Sequence, residues 1–272
     1  MPDWMRGLWR RLSIETEDGQ RDTKTQVFYL QTSLCFGDLR IPGDRPDIDH
    51  SSFLSLTQAE ALSLSQQQGF AGVVQFEWGN PHRCQWVRQI DYQPSQPVRD
   101  IGWLYWQDDL LIEDGIDQVY REEWQKVDDG QGDYTALVLA ADLSSPGATW
   151  QASLVIAGDY FVYSQNRSFP LPPNGSLTDC LTHAPAQEKQ QDYLNCEISF
   201  GRCRSGRVPW EIQRSTIPWR EGSALWSIKD LAIDLEKQRV LQTVDRGDTS
   251  KNQQEIREWK IWEWGTGDAF QG

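Results

Sequence analysis

Long apolar runs are missing from this chain of 272 residues. Nowhere do about 18 consecutive apolar residues occur, which is the length that a membrane-spanning helix needs. The N-terminus also lacks the apolar core of a signal peptide. Arginines lie among apolar residues there, as in a membrane-surface helix, but from Trp9 on apolar and polar residues alternate as in a strand. We therefore expect a cytoplasmic protein, and the sequence disfavours membrane contact.

Basic residues are outnumbered. The chain has 26 Lys and Arg against 40 Asp and Glu, which gives a formal net charge of −14. Nucleic-acid affinity depends largely on basic side chains that release counterions from phosphates, so we exclude nucleic acid as a partner. An acidic surface could attract a basic protein partner, although solvated charge with no partner is the commoner meaning of such a composition.

Metal-ligating and nucleophilic residues are sparse and scattered. The three histidines are His50, His82 and His183, and only the second and third have a nearby cysteine, at Cys84 and Cys180. Structural zinc sites assemble four ligands with paired spacing, which these couples do not supply. The five cysteines show no CxxC spacing, which favours reduced thiols, and no G-x-S-x-G motif is present. We predict no metal, no cofactor and no catalytic residue.

Tryptophan, in contrast, is abundant, with 14 residues in a chain that is only 38% hydrophobic. Some aromatic and glycine positions recur at a nearly constant offset: Phe76 and Trp86 as Phe200 and Trp210, and Gly102 and Trp106 as Gly222 and Trp226. A chain of this length accommodates two domains of roughly 130 residues. The glycine- and acid-rich segment 128–133 is the predicted link, so we place the domains at residues 1–128 and 134–272.

Short alternating segments predict an all-β fold. In the first half they predict strands from Trp9 on and at 25–32, 35–41, 70–78, 84–92, 102–107, 110–113 and 118–126. In the second half they predict strands at 134–143, 149–157, 160–165, 193–202, 208–216, 223–229, 230–235, 238–244 and 254–264. Helices are expected at 58–68, where Thr57 and Glu60 form a capping-box pattern before a stop at Gly69, and at 187–192. These counts are typical of barrels or sandwiches.

A resemblance to a known family rests on three patterns: the segment from Phe36 to Ile41, the Phe76 to Trp86 hairpin, and the turn at Glu113-Asp114-Gly115 with Trp124 after it. On these the chain resembles the lipocalin-like superfamily of calycin barrels and, more narrowly, a fungal family of two-barrel proteins named for interacting with a casein-kinase-type kinase. The resemblance implies two tandem antiparallel β-barrels, each with a short helix, packed as one unit without an established catalytic activity. It carries over no kinase-binding motif. The chain also lacks the Gly-x-Trp of lipocalins on its first strand, which argues against ligand transport.

The tryptophans leave three interpretations open. They can fill the cores of both barrels, line pockets at the barrel mouths, or face outward as a platform for sugar rings. For a pocket that holds a small apolar ligand, the candidate residues are Arg40, Trp86, Arg88, Trp106, Trp210 and Trp226. The two arginines would then be available to hold a ligand carboxylate.

The segment 108–129 supplies the alternative, because it contains nine acidic residues. Two opposed carboxylates with different pKa values would suit an enzyme or sugar-binding protein that acts on a small or carbohydrate substrate. Solvated strand faces explain the same acids without any activity. The leading hypothesis is a cytoplasmic, non-enzymatic module that binds a small apolar ligand or a protein partner.

Overall fold

The structure is a computed structural model, and it describes residues 1–140, 150–172, 175–183, 187–245 and 254–270. Most of its regular structure is antiparallel β-sheet. Among the described residues, no helix combines the length and apolar character required to cross a membrane.

The first half forms a closed antiparallel barrel. Its elements are β1 (Gly7–Thr16), β2 (Arg21–Asp22), β3 (Gln26–Gln31), β4 (Cys35–Ile41), α1 (Gln58–Leu64), β5 (Gln68–Glu77), β6 (His82–Asp91), β7 (Asp100–Gln107), β8 (Leu110–Gly115) and β9 (Tyr120–Asp128). Apart from the two-residue β2, each strand pairs with the next, and β1 pairs with β9. Eight strands therefore enclose an interior, and closure leaves no long edge unpaired.

The second half forms another eight-stranded sheet. Its elements are β10 (Tyr134–Ala140), β11 (Trp150–Ala157), β12 (Tyr160–Gln165), α2 (Leu177–Thr182), α3 (Gln187–Leu194), β13 (Glu197–Arg202), β14 (Glu211–Ser215), β15 (Leu231–Asp234), β16 (Arg239–Asp245) and β17 (Gln254–Glu263). The spatial order is β14-β13-β12-β11-β10-β17-β16-β15. This order matches that of the barrel strand for strand, except that no ladder joins β14 to β15 within the described residues. The predicted second barrel is therefore not confirmed.

Most predicted elements agree with the structure to within a few residues, and the all-β prediction is confirmed. The capping box at Thr57 and Glu60 is present, but α1 ends at Leu64, and Gly69 lies in β5. The strand predicted at 223–229 is wrong, because only Ala224 makes a β-bridge there before a 3-10 turn. Helix α2 was not predicted. It has its own capping box, in which an aspartate takes the usual place of glutamate.

A shared hydrophobic core joins the barrel to the second sheet. The ring of Phe28 on β3 stacks on Phe200 of β13, with centroids 4.4 Å apart. On β4, a side chain at Gly37 would collide with Val162 of β12, since a Cβ there would lie 2.5 Å from the valine Cγ1. The outward residues of β3 and β4 belong to the same buried cluster as residues of β11 to β13. The outer face of the barrel is therefore apolar where it meets the second sheet.

Polar groups at the same interface are paired across it. The Glu263 carboxylate at the end of β17 accepts backbone hydrogen bonds from the turn between β3 and β4, including those of Ser33 and Leu34 at 2.9 and 2.8 Å. The buried Arg167 guanidinium donates to the carbonyl oxygens of Tyr92 and Tyr193 at 2.7 and 2.6 Å. Because buried donors and acceptors are costly when unpaired, these contacts fix the two sheets relative to each other.

Candidate ligand site in the barrel

The barrel interior has an aromatic half and a charged half. At the aromatic end, Trp9, Trp86 and Trp124 point inward from β1, β6 and β9. Indole Nε1 of Trp86 donates to the Tyr29 hydroxyl at 2.9 Å, and that of Trp9 donates to the Met5 carbonyl oxygen at 2.9 Å. Indole Nε1 of Trp124 is buried without a hydrogen-bond partner among the described residues. We call this aromatic end of the interior the aromatic floor, and it is apolar apart from the unpaired indole N–H of Trp124.

The charged half begins with an ion network between β1, β4 and β9. Glu122 Oε1 accepts from Arg11 Nη1 at 2.7 Å and from Arg40 Nη1 at 3.0 Å. The Nε and Nη2 groups of Arg40 donate to the Asp38 carboxylate. Burial raises the pKa of Asp38, and the nearby Arg40 opposes that shift. On β4 the period of two places Asp38 and Arg40 inside, since they alternate with residues that face the second sheet.

A second ion cluster lies at Arg88 on β6. Its Nε and Nη2 donate to Asp100 Oδ2 at 3.0 and 2.7 Å, and its Nη1 donates to Asp91 at 2.9 Å. The guanidinium carbon lies 3.6 Å from the centroid of the Phe70 ring, within cation–π range. Arg88 is thus held by two carboxylates and an aromatic ring.

Glu113 differs from the other interior acids because no arginine contacts it. Its side chain points inward from β8, and the residue is only 5% exposed. Oε1 accepts from the Tyr120 hydroxyl at 2.7 Å, and Oε2 has no hydrogen-bond partner among the described residues. Burial raises the pKa of Glu113 well above its usual value, and the neighbouring carboxylates of Glu122 and Asp100 raise it further. Glu113 therefore holds its proton at pH values where an exposed glutamate has lost it.

A cavity of about 200 Å³ lies between these two halves. Its walls include the aromatic residues Trp9, Tyr29, Phe70, Trp86, Tyr120 and Trp124, and the charged residues Asp38, Arg40, Arg88, Asp100, Glu113 and Glu122. Some of the same residues also line a cleft of about 1540 Å³ between the barrel and the second sheet: Trp86, Arg88, Asp100, Gln118 and Tyr120. The cavity mouth therefore faces this cleft.

The six predicted ligand-binding residues fall into three places. Arg40, Trp86 and Arg88 line the cavity. Trp106 lies at the other end of the barrel, where it is 44% exposed and contacts Trp4 and Trp9. Trp210 and Trp226 pack against each other in the core of the second sheet, with centroids 5.2 Å apart. The structure brings three of the six together, and whether any of them binds a ligand stays a prediction.

Outward tryptophans do exist, at the end of the barrel that is opposite the mouth. Trp4 contacts Phe76, His82 and Trp106, and Trp78, which is 70% exposed, contacts Phe76 and His82. We call this group of five residues the aromatic patch. Its ring pairs are mostly edge-on or tilted, so it does not form one flat stacking platform.

The acids of segment 108–129 separate into two sets. Glu113 and Glu122 line the cavity. Of the others, Asp114 pairs with Arg121 at 2.8 Å and Asp117 pairs with Arg99 at 2.8 Å on the outside of the barrel. Among the described residues, no group of three or more His, Cys, Asp or Glu side chains is arranged to hold a metal ion. The five cysteines are free thiols, and four of them are buried.

Asp38, Asp100 and Tyr120 of the cavity wall were not among the candidates from the sequence, and Glu113 and Glu122 were named only as members of the acidic segment 108–129. The period of two indicates the inward position of two of these acids. Asp38 shares one strand face with Phe36 and Arg40, and Glu122 shares a face of another strand with Trp124. The inward position of these acids was not predicted, because Asp and Glu side chains are rarely buried unless they are paired.

No family model matches the chain, and neither a curated protein nor a solved structure matches it.

Proposed function

We propose that this chain is a non-enzymatic, cytoplasmic binding protein and that its first-half barrel holds a small ligand. The cavity of about 200 Å³ between the aromatic floor and the charged residues is the observation that carries the proposal. A cavity of about 150 Å³ accepts benzene, so a ligand of roughly ten non-hydrogen atoms fits here, and a long fatty acid does not. Aromatic walls with a few convergent polar groups are typical of small-molecule sites.

We infer a role for the two arginines that differs from the one that the sequence suggested. Each of Arg40 and Arg88 already engages two carboxylates through all of its guanidinium nitrogens. A ligand carboxylate would have to displace one of these partners and would then face the remaining acids. The ligand is therefore an apolar or amphipathic molecule whose body rests on the tryptophans, rather than one held by an arginine–carboxylate pair.

We also propose that the chain arose by tandem duplication of a lipocalin-like, calycin-type unit, with domains at residues 1–128 and 134–272. The matching strand order of the two sheets supports this, as does the helical segment that follows the third sheet-forming strand of each barrel-like set. Trp86 on β6 and Trp210 immediately before β14 occupy corresponding places in that order. The second copy would then keep the core and lose the hollow interior.

The test uses a small fluorinated probe of matching size, 4-fluorobenzyl alcohol, followed by fluorine NMR. We expect its line to broaden with the wild-type protein and to sharpen again with Leu111→Phe, because Leu111 lines the cavity and a larger ring would fill it. Val119→Phe is the matched control, since Val119 is 64% exposed. An unaffected line with wild-type protein, or equal broadening with both variants, would contradict the proposal.

A carbohydrate-active enzyme is the second candidate, and one observation favours it. Glu113 and Glu122 are direct neighbours on β8 and β9, and Glu113 has a raised pKa as a general acid requires. Against it, Glu122 is tied to two arginines and lies beside Glu113 instead of across the cavity. Release of nitrophenol from 4-nitrophenyl glycosides, lost in Glu113→Gln and kept in the exposed variant Asp109→Asn, would establish the enzyme and displace the binding role.

A further inference from the structure

The balance of charge in the cavity opposes anions. The lining contains the arginines Arg40 and Arg88 and four carboxyl groups, from Asp38, Asp100, Glu113 and Glu122. Both guanidinium groups are occupied by carboxylates, and Arg11 beside the cavity is paired with Glu122 and Asp22. A bound anion would meet no free base among these residues, whereas a bound cation would meet Glu113, the one lining acid that no arginine contacts.

Glu113 is the group left without a partner charge. It is 5% exposed, lines the cavity, and presents one carboxyl oxygen that has no hydrogen-bond partner in the described part of the chain. A carboxyl oxygen that lies on a cavity wall without a protein donor can accept a hydrogen bond from a ligand in that cavity. An ammonium group fits this oxygen because it can donate a hydrogen bond to it and can replace the proton as the positive partner of the carboxylate.

The walls around Glu113 suit a cation as well. Tyr29, Trp86 and Trp124 line the same cavity, and the electron-rich faces of such rings attract organic cations. The formal net charge of −14 also raises the local concentration of cations around the protein. The site thus combines an open carboxyl group with an aromatic enclosure.

We propose that the barrel cavity binds a small organic amine as its cation, with Glu113 as the counter-ion and the tryptophans around the organic body. This inference rests on the proposed ligand-binding function and names the chemical class of the ligand. When the ammonium group docks, the Glu113 proton leaves to solvent, so one positive charge replaces another. Covalent chemistry is not involved.

Proton release makes binding depend on pH. The groups that face Glu113 are Glu122 and Tyr120 on β9, Asp100 on β7, Arg40 on β4, Cys84 on β6 and Tyr29 on β3. Because burial and the neighbouring carboxylates raise the pKa of Glu113, the empty site holds a proton that the amine must displace. Affinity for an amine therefore rises with pH, while affinity for a neutral alcohol of the same shape stays flat or falls.

The test compares three probes of nearly equal size: 2-phenylethylamine, 2-phenylethanol and phenylacetate. Dissociation constants are measured by calorimetry on the wild-type chain between about pH 5 and pH 8, where the amine stays protonated and phenylacetate stays charged. We expect the amine to bind best, by roughly tenfold or more at the upper end of that range, as charge-assisted hydrogen bonds allow. Calorimetry in two buffers of different ionisation enthalpy then gives the number of protons released.

Glu113→Gln is expected to lose that amine preference and its pH dependence while 2-phenylethanol still binds. Asp109→Asn, an exposed acid on the turn between β7 and β8, should behave as wild type. Tighter binding of phenylacetate or 2-phenylethanol than of the amine would overturn the cation assignment and leave the ligand-binding barrel intact. Failure of all three probes to bind would overturn both proposals. Should Glu113→Gln fold poorly, a flat pH profile of the wild-type protein would still decide against the inference.

Discussion

The barrel and the second sheet share one strand order, yet their inner faces are filled in different ways. On the third strand of the barrel, β4, the inward residues are Phe36, Asp38 and Arg40. The strand in the same place of the second sheet, β12, turns Phe161 and Tyr163 toward a core that also holds Trp210, Trp226 and Trp259. One interior keeps charge and a cavity, and the other is packed with aromatic rings.

This difference suggests a division of labour. Buried charges require partners, so the arginines inside the barrel pair with carboxylates, and a cavity remains between these ion pairs. The second sheet has no β14–β15 ladder in its described part, and Phe270 of the 3-10 turn Asp268–Phe270 packs against Trp210 and Trp226 beside that gap. In the proposed function, the filled core stabilises the assembly and the barrel cavity holds the ligand.

The largest expected effect separates the two interiors by stability. Trp210→Ala removes a fully buried ring and leaves a cavity in a packed core, so we expect a loss of about 4 kcal/mol in the free energy of unfolding. Trp86→Ala removes a ring that already borders a cavity, so the loss should be nearer 2 kcal/mol. Urea unfolding followed by circular dichroism measures both. Trp103→Ala, at a 40% exposed residue, is the control, and equal losses for the two buried tryptophans would mean that the barrel is as well filled as the second sheet.

The next effect concerns the ions inside the barrel. Arg40→Met leaves Asp38 without its partner and Glu122 with one arginine fewer, and breaking such a buried network costs about 3 kcal/mol. Arg121→Met breaks an ion pair with Asp114 whose arginine is 52% exposed, which should cost less than about 1 kcal/mol. Chemical denaturation of the two variants in the same buffer provides the comparison. A loss in Arg40→Met as small as that in Arg121→Met would show that the interior is open to water.

A smaller effect depends on pH. The folded state raises the pKa of Glu113, so it binds that proton more tightly than the unfolded chain does. This contribution to the free energy of unfolding is present in full below the pKa of the unfolded chain, near 4.3. It is lost as pH rises through the pKa of the folded state, by at most about 1.4 kcal/mol per pH unit. Glu113→Gln removes this loss, so the variant should gain stability relative to wild type as pH increases.

The measurement is the free energy of unfolding at several pH values for wild type, Glu113→Gln and the exposed variant Asp109→Asn. The wild-type and Asp109→Asn curves should run parallel, and the Glu113→Gln curve should diverge above them. Parallel curves for all three proteins would mean that Glu113 titrates like a solvated carboxylate. The charged interior would then be wet rather than enclosed.

The sequence predicts the strands of both halves well but not the charged interior of the barrel. Alternation and turn residues gave nearly every strand, since they depend on local sequence and the period of two. The barrel closure between β1 and β9 could not be obtained this way, because it pairs residues such as Arg11 and Trp124 that are far apart in sequence. The inward position of Glu113 was missed for a related reason. Its stability there depends on Tyr120 and on neighbours from other strands, which no local pattern encodes.

The smallest expected effect tests whether the two helical segments contribute equally. Thr57 caps α1 and Ser176 caps α2, each through a reciprocal capping box, and both helices pack into the core shared by the two sheets. Replacing either cap by alanine removes one hydrogen bond to a helix N-terminus, so Thr57→Ala and Ser176→Ala should each cost about 1 kcal/mol. Equal shifts in the urea midpoint would indicate one cooperative unit, as the common core requires. If Ser176→Ala unfolds the second sheet alone while the barrel signal from Trp86 and Trp124 persists, the barrel is stable without its filled partner.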